Sequence, residues 1–404
     1  MTAQNIIKNI ELVTLGLFVF VLPSLETPKI IFWALYVLVY LVRRYMAYGL
    51  SFKKPDGITA SVIALFLVSL ISTLVNWPLE KSFSGSFDTL SYCALFLCLY
   101  HGGYTDKQVK TLYIVMIAGV LTGLLFGLSE YYSGISSSLS FHSAGVTTQS
   151  SIYLGIAIIT AYGFLSEDSR HSFATISLVY LSILLMAVAL LYMGSRGSIV
   201  AVVTCILLVL FLVHSQRLLL SSAVLTSAVI CISYVLIQAY PTNLNKPEYN
   251  ERFSVERFKK SDNERLENWN IAITTIATGS NIFWGIGPRN YQTIDPQKIG
   301  MDSAYYKRTG EMHHAHNLFL TQWVEQGIIG LLALLSFFLL VISRLKSSWA
   351  NCKEHQQKYV WISALAAVVV PVIAGFFNTP FYQEPAMLAM ILMGAMFSHT
   401  GKMV

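Results

Sequence analysis

Residues 173–213 read FATISLVYLSILLMAVALLYMGSRGSIVAVVTCILLVLFLV, and Arg196 is the one charged residue among them. Roughly 20 apolar residues, rising about 1.5 Å each, cross the ~30 Å hydrocarbon core of a bilayer. The stretch therefore holds two spans, 173–193 and 197–213, joined by the tight turn Met193-Gly194-Ser195-Arg196-Gly197-Ser198. Working outward, the same criterion marks ten further segments: 7–22, 29–42, 58–75, 86–100, 111–129, 149–166, 217–239, 316–342, 358–377 and 384–399. Runs this continuous exclude a β-barrel, whose strands alternate over ~10 residues. Composition agrees: 55% of residues are hydrophobic, 12% are charged and mean hydropathy is +0.59. An ordinary soluble domain carries about 25% charged residues, so a water-soluble enzyme and a disordered chain are both excluded. The first span follows Lys8 without a small-residue cleavage site and reads as a retained helix. Cys93, Cys98, Cys205, Cys231 and Cys352 lie in apolar runs or a short basic loop, with no disulfide framework.

The expected fold is an all-α polytopic membrane protein of about twelve transmembrane helices with one large, partly helical loop. Residues 1–239 hold nine spans, 240–315 form the loop, and 316–404 hold the last three, all within a single integral membrane domain. Orientation follows from the short loops, because Lys and Arg concentrate on the cytoplasmic side. With the N-terminus inside, the inner loops carry 14 of the 27 bases, the short outer loops only Lys29, Lys81 and Arg196, and the long loop the other ten. Both termini are thus expected inside and the long loop outside. The net charge of +6 matters less than this asymmetry, and no nucleic-acid partner is expected.

Long ordered loops are usually functional. In this one, Asn263–Thr278 reads as a helix with Arg265, Asn268, Trp269, Ala272 and Ile276 on one face. Gly279-Ser280 stops it, and Gly285-Ile286-Gly287-Pro288 reads as a tight turn. With no cysteine in the loop, its order must come from packing against the bundle.

The segment richest in chemistry is His313-His314-Ala315-His316-Asn317, followed after nine residues by Gly327-Ile328-Ile329-Gly330. At about 100° per residue, a continuous helix places Gly327 and Gly330 roughly 20° and 40° to either side of His316. Those glycines would admit a neighbouring helix and fix His316 at the membrane surface, as a general base requires. The alternatives are an interfacial histidine with packing glycines, and a metal site from His313, His314 and His316, for which only Glu311 is a further ligand nearby. Arg196, behind the N-cap candidate Ser195, adds charge to the positive end of an outward-facing helix and suits an anion. Its alternative is snorkelling to lipid headgroups. Arg265 with Trp269, Arg289, and Lys307-Arg308 would together suit a diphosphate. Trp269, Tyr291, Tyr305 and Tyr306 offer aromatic faces to sugar rings, although interfacial aromatics are ordinary in membrane proteins. Carboxylates within spans read as few, Glu130, Glu384 and Asp88 near span ends. That argues against a proton-coupled transporter.

His316-Asn317, nine residues, then Gly327-x-x-Gly330 resembles the H-[NSQ]-x9-G-x-x-G signature of bacterial O-antigen ligases. Ser195-Arg196-Gly197 is similar to the arginine motif of the wider superfamily, which includes O-antigen polymerases and O-linked oligosaccharyltransferases. Arg265-x-x-x-Trp269 looks like its loop arginine motif, though family versions often end in an aliphatic residue. The resemblance implies an inner-membrane glycosyltransferase of lipopolysaccharide biosynthesis with a periplasmic site. Its donor would be undecaprenyl diphosphate-linked O-antigen, its acceptor a sugar of lipid A-core, and its remaining partners membrane lipids. It implies no cofactor and no metal, His316 as general base with inversion, and Arg196 and Arg265 as diphosphate ligands. Arg289 is a reserve ligand, Asn317 would orient His316, and Ser195, Trp269, Gly327 and Gly330 support the site. The competing readings are an O-antigen polymerase, an O-linked protein oligosaccharyltransferase and, outside enzymes, a lipid or glycan exporter.

Overall fold

The computed structural model describes residues 3–49, 55–77, 80–144, 146–167, 172–239, 255–279, 281–309, 314–354 and 357–400. Ser280, Glu311 and His313 lie outside them, as do the side chains of Tyr305 and Arg308. Every regular element among these residues is helical. The chain runs α1 (Ala3–Val21), α2 (Glu26–Tyr48), α3 (Gly57–Val75), α4 (Glu80–Tyr100), α5 (Asp106–Tyr132), α6 (Thr147–Phe164) and α7 (Phe173–Met193). It continues with α8 (Arg196–Val213), α9 (Gln216–Ala239), α10 (Val255–Thr278), α11 (Ala304–Thr309), α12 (Leu318–Glu354), α13 (Lys358–Ala374) and α14 (Gln383–Thr400). Two 3-10 turns, Tyr291–Thr293 and Pro296–Ile299, lie between α10 and α11.

Each of the twelve apolar segments coincides with one of these helices. Seven, α1, α2, α3, α5, α7, α8 and α12, are long and apolar enough to cross a membrane by themselves. Of the other five, α13 and the described part of α9 are apolar but shorter, and α6 and α13 share a packing environment. Both are sheathed by neighbouring helices: α6 packs on α7, α8, α13 and α14, and α13 on α6, α8, α12 and α14. All of α6 from Gln149 to Phe164 is buried. A helix covered by protein on every side can carry Ser, Thr and Gln that lipid would not tolerate, because neighbours satisfy them. At the periphery the pattern reverses. Leu38 and Leu41 of α2, Leu178 and Leu181 of α7, Leu207 and Phe211 of α8, and Leu220 and Val224 of α9 are all exposed. Apolar faces of this extent belong against lipid tails rather than water, so the chain is a multi-pass membrane protein.

Ends of the helices are set locally. Thr105 and Gln108 form a reciprocal capping box at the start of α5. Gly194 ends α7 in the left-handed conformation (φ 69°), so the chain reverses at once into α8. At the opposite end of the bundle from the site described below, buried Glu11 of α1 accepts from Arg43 of α2 and from the Tyr104 hydroxyl before α5. This ties three helices together.

The helix expected to begin at Asn263 begins at Val255, and its expected inner face is confirmed. Asn268 and Ala272 are buried, with Ile271 packed beside Tyr291, Ile294, Ala315 and Val324. The described part of the long loop is ordered by the bundle, as the lack of cysteines required. The Ser72 hydroxyl on α3 donates to the Trp284 carbonyl (2.6 Å), and the Asn76 amide donates to the Gly285 carbonyl (3.1 Å).

Candidate active site

The decisive local feature is a break in α12 at Gly327, whose φ of 70° and ψ of −174° are not helical. An unbroken helix would have the Ile328 and Ile329 N–H groups donate to the Val324 and Glu325 carbonyls. Instead all four groups turn to residues 282–287. Ile328 N–H donates to the Ile282 carbonyl (2.9 Å) and Ile329 N–H to the Phe283 carbonyl (3.4 Å). In return, Ile286 and Gly287 N–H donate to the Val324 (3.0 Å) and Glu325 (2.8 Å) carbonyls. The loop thus replaces two helical hydrogen bonds with four inter-segment ones, leaving none of these buried groups orphaned.

This corrects the expected role of the glycine pair. No continuous helix carries His316, Gly327 and Gly330 on one face, and Gly327 admits a loop backbone rather than a neighbouring helix. A Cβ on Gly327 would land on the Phe283 carbonyl oxygen, and one on Gly285 on the Val324 carbonyl oxygen. A Cβ on Gly330 would strike the Gln326 side chain, which the break folds back toward it. The spacing reads correctly as a motif and wrongly as a helical face, because 100° per residue holds only while the i→i−4 ladder is intact.

The break leaves a short half-helix, 318–326, clamped at both ends. At its start, the Asn317 carboxamide oxygen accepts from the Phe319 and Leu320 N–H groups, both at 3.0 Å. The Leu318 N–H donates to the Gly375 carbonyl (2.7 Å) and the Asn317 Nδ2 to the Phe376 carbonyl (3.4 Å). Asn317 is therefore a helix cap that also ties the half-helix to the turn after α13. His316 precedes that cap with a left-handed φ of 51°, half-buried, its ring 4.4 Å from that of His314 between centroids. A non-glycine residue held at positive φ is uncommon and marks a conformation imposed by its surroundings.

Across the 375–378 turn lies α8. Gly197 presses against this turn, so that a Cβ there would meet Phe377 Cβ at 3.1 Å and the Asn378 amide nitrogen at 3.3 Å. Arg196, the first residue of α8, holds Asp262 of α10, Nη2 to Oδ1 at 2.8 Å and Nη1 to Oδ2 at 3.5 Å. Arg265, one turn further along α10, reaches the same Oδ1 at 3.5 Å. Two guanidinium groups 69 positions apart by their numbers thus converge on one carboxylate. Burial pulls the Arg265 pKa below the ordinary arginine range, and the positive charge of Arg196 adds to the effect against the opposing pull of Asp262. Ser195 occupies the N-cap position of α8, yet its hydroxyl meets that of Ser198 (2.9 Å) and makes no cap bond. The first N–H groups of α8 are accordingly not satisfied by that side chain.

Arg289 does not join this pair. It sits at φ 60° beyond the Gly287 turn, donates to Ser84 (2.9 Å), pairs with Asp88 (2.7 Å) and lies 5.3 Å from the Tyr382 ring centre. Lys307 pairs with Asp302. Tyr291 is wholly buried, its hydroxyl donating to the Asn268 carbonyl (2.9 Å), so it is a packing residue rather than a sugar platform. Trp269 is partly buried one turn from Arg265, and its indole N–H has no hydrogen-bond partner among the described residues.

Sequence reasoning missed two acidic groups and one pairing. Asp262 was given no role, and its signal was the three-residue spacing to Arg265. Glu325 went unnoticed although a carboxylate in an apolar span is a functional pointer by default. It is buried and accepts from the Tyr291 N–H at 3.3 Å. Lys29 and Glu384 form a buried ion pair joined by Ser143, which connects α2 to α14 at this same end of the bundle.

Residues 181–335 match the family model Wzy_C, described as O-antigen ligase. The matched stretch runs from α7 into α12 and contains Arg196, Arg265, Arg289, His316, Gly327 and Gly330. It supports membership of the O-antigen ligase superfamily, whose members are glycosyltransferase-like ligases and polymerases acting on lipid-linked glycans in membranes. No curated protein gives a significant match.

Proposed function

We propose that this chain belongs to the O-antigen ligase superfamily, as its match to the family model supports, and is the ligase itself. It moves an O-antigen glycan from undecaprenyl diphosphate to a sugar of lipid A-core at the periplasmic face of the inner membrane. In this reading all twelve apolar helices cross the membrane, both termini are cytoplasmic and the long loop is periplasmic. The observation that carries it is the convergence of Arg196 and Arg265 on one carboxylate, across the 375–378 turn from His316. A carboxylate gripped by two guanidinium groups marks a place where a diphosphate oxygen fits equally well.

The chemistry then assigns itself. His316 takes the proton of the acceptor hydroxyl as that oxygen attacks the anomeric carbon of the donor glycan. The new C–O bond forms as the bond to the diphosphate oxygen breaks, on the opposite face, so the configuration inverts. Negative charge grows on the departing lipid diphosphate, and Arg196 and Arg265 stabilise it, aided by the positive N-terminus of α8. Rigid mounting matters because a positioned base and acceptor convert a bimolecular encounter into a local one. The capped half-helix, held by the loop at its far end, supplies that mounting.

The test is transfer in vitro from a purified lipid-linked glycan, offered lipid A-core, a second lipid-linked glycan or a peptide. Transfer to lipid A-core that His316→Ala abolishes, in a protein of unchanged melting temperature, supports the ligase. Transfer only to the second glycan makes it a polymerase, transfer only to the peptide a protein oligosaccharyltransferase. Full activity of His316→Ala removes the base.

A further inference from the structure

At the end of the bundle opposite Arg196, the starts of α5, α7 and α9 and the end of α6 surround a groove of about 190 Å³. Its walls include Ile117 of α5, Phe164 of α6, and Ile176 and Val179 of α7. Ile114 and Leu178 also line it and are exposed, so it opens sideways toward lipid tails. An apolar cavity of roughly 150 Å³ admits a benzene ring, so this groove takes a length of acyl chain. The hydroxyls on its walls are served within the protein. Ser182 donates to the Leu178 carbonyl (2.7 Å), and the Thr175 hydroxyl meets that of Ser172 (2.9 Å). Below its mouth the groove therefore suits hydrocarbon.

The mouth is different, because Lys110 and Arg217 stand there. Lys110 Nζ meets Glu167 Oε2 at 2.8 Å and lies 6.0 Å from the Phe164 ring centre and 5.8 Å from that of Tyr359. Arg217 Nη1 donates to the Glu167 main-chain carbonyl (2.8 Å), a neutral acceptor. Arginine carries five N–H donors, and this is its one hydrogen bond among the described residues. A single buried carboxylate, Glu167, thus answers two cations. The surroundings keep the surplus: over residues 106–110, 167–170, 217 and 358, five bases stand against three acids. Asp168 and Arg170, included there, lie outside the described residues and cancel in formal charge. A guanidinium and an ammonium held side by side suit the oxygens of a phosphate. A basic mouth above a hydrocarbon groove between helices is the chemistry that recognises an acidic lipid.

We propose that this groove binds an anionic phospholipid, with its phosphate between Lys110 and Arg217 and one acyl chain along Ile117 and Val179. The lipid lies in the leaflet opposite the candidate active site and supports the fold by filling the gap between α5 and α7. It is no substrate, and the inference stands independently of the glycosyl-transfer reading. A zwitterionic lipid fits less well, because its own ammonium meets the same two bases.

The experiment titrates the full-length protein in nonionic detergent with phosphatidylglycerol or with phosphatidylcholine of the same acyl chains, reading the melting temperature. Phosphatidylglycerol is expected to raise it at about fivefold lower concentration or less, the preference that a base near the headgroup confers. Lys110→Gln and Arg217→Gln each reduce that preference, and together they abolish it. Lys107→Gln, whose native side chain lines a separate groove between α1 and α5, leaves it unchanged. Native mass spectrometry gives a second readout: the wild-type protein retains a phosphatidylglycerol that Arg217→Gln releases. Equal shifts by the two lipids, or an undiminished preference in the double variant, overturn the site. A loss in Lys107→Gln as large as in Arg217→Gln also overturns it, as diffuse attraction to a basic surface. An equal shift by inorganic phosphate overturns the lipid as occupant, because the acyl chain then contributes nothing. If the double variant does not fold, equal lipid retention by wild type and Arg217→Gln overturns the site by itself.

Discussion

Arg196 Nη2 and Asp262 Oδ1 stand 2.8 Å apart, joining the first residue of α8 to a carboxylate one turn ahead of Arg265 on α10. The same oxygen serves Arg265 at 3.5 Å. Asp262 thereby holds the two cations together, and in the proposed function a diphosphate competes with it for them. Asp262→Asn removes the competing charge and keeps the shape. The expected result is several-fold tighter inhibition by inorganic pyrophosphate and a lower donor KM, measured in the transfer assay. A weaker pyrophosphate effect instead means that Asp262 builds the site rather than guarding it.

Arg196 grips Asp262 with two nitrogens, a geometry that a lysine ammonium cannot copy. Arg196→Lys keeps the charge and is expected to lose at least tenfold in kcat/KM, with Arg196→Ala lower still. Near-normal turnover in the lysine variant reduces the residue to a point charge. In the same assay EDTA leaves transfer intact if the guanidinium groups carry the leaving-group charge; loss that a divalent ion restores turns attention back to the histidine run.

Gly327 is the hinge on which the site is built. Alanine there meets both a left-handed φ and the Phe283 carbonyl, so Gly327→Ala is expected to cost at least about 2 kcal/mol. The loss concentrates in the docked segment 281–287. Limited proteolysis should cut that segment faster in the variant, and the melting temperature should fall. Equal cleavage rates in both proteins would falsify the exchange of hydrogen bonds as the loop's anchor.

Asn317 caps the half-helix through its side-chain oxygen. Loss of an N-cap costs about 1 kcal/mol, so Asn317→Ala is expected to lower both melting temperature and turnover. Asn317→Asp keeps the accepting oxygen and should retain most of both. If the aspartate variant is as impaired as the alanine, the amide's contact with the Phe376 carbonyl (3.4 Å) outweighs the cap.

Much of this protein is legible along the chain because a bilayer imposes a one-dimensional rule. A segment that must satisfy its backbone within itself and face lipid has to be a helix of about 20 apolar residues, and all twelve such segments are helices. The arginines at 196 and 265 also stand out by local signs: a lone charge at a helix start, and a cationic position on an amphipathic loop helix. The same reasoning failed at Gly327, where it extrapolated a helical face through a residue that ends the ladder. It also overlooked Glu325 and did not anticipate the pairing of Arg289 with Asp88.

What sequence alone determined was the set of helices, the position of the polar loop among them, and the residues able to do chemistry. Only the tertiary structure decided which of those residues share a site. The reason is that the deciding hydrogen bonds, residues 282–287 with 324–329 and residue 262 with 196, join backbone and side chains remote in the chain. Their geometry depends on how the bundle brings loop and broken helix together, and no periodicity within a single segment encodes it.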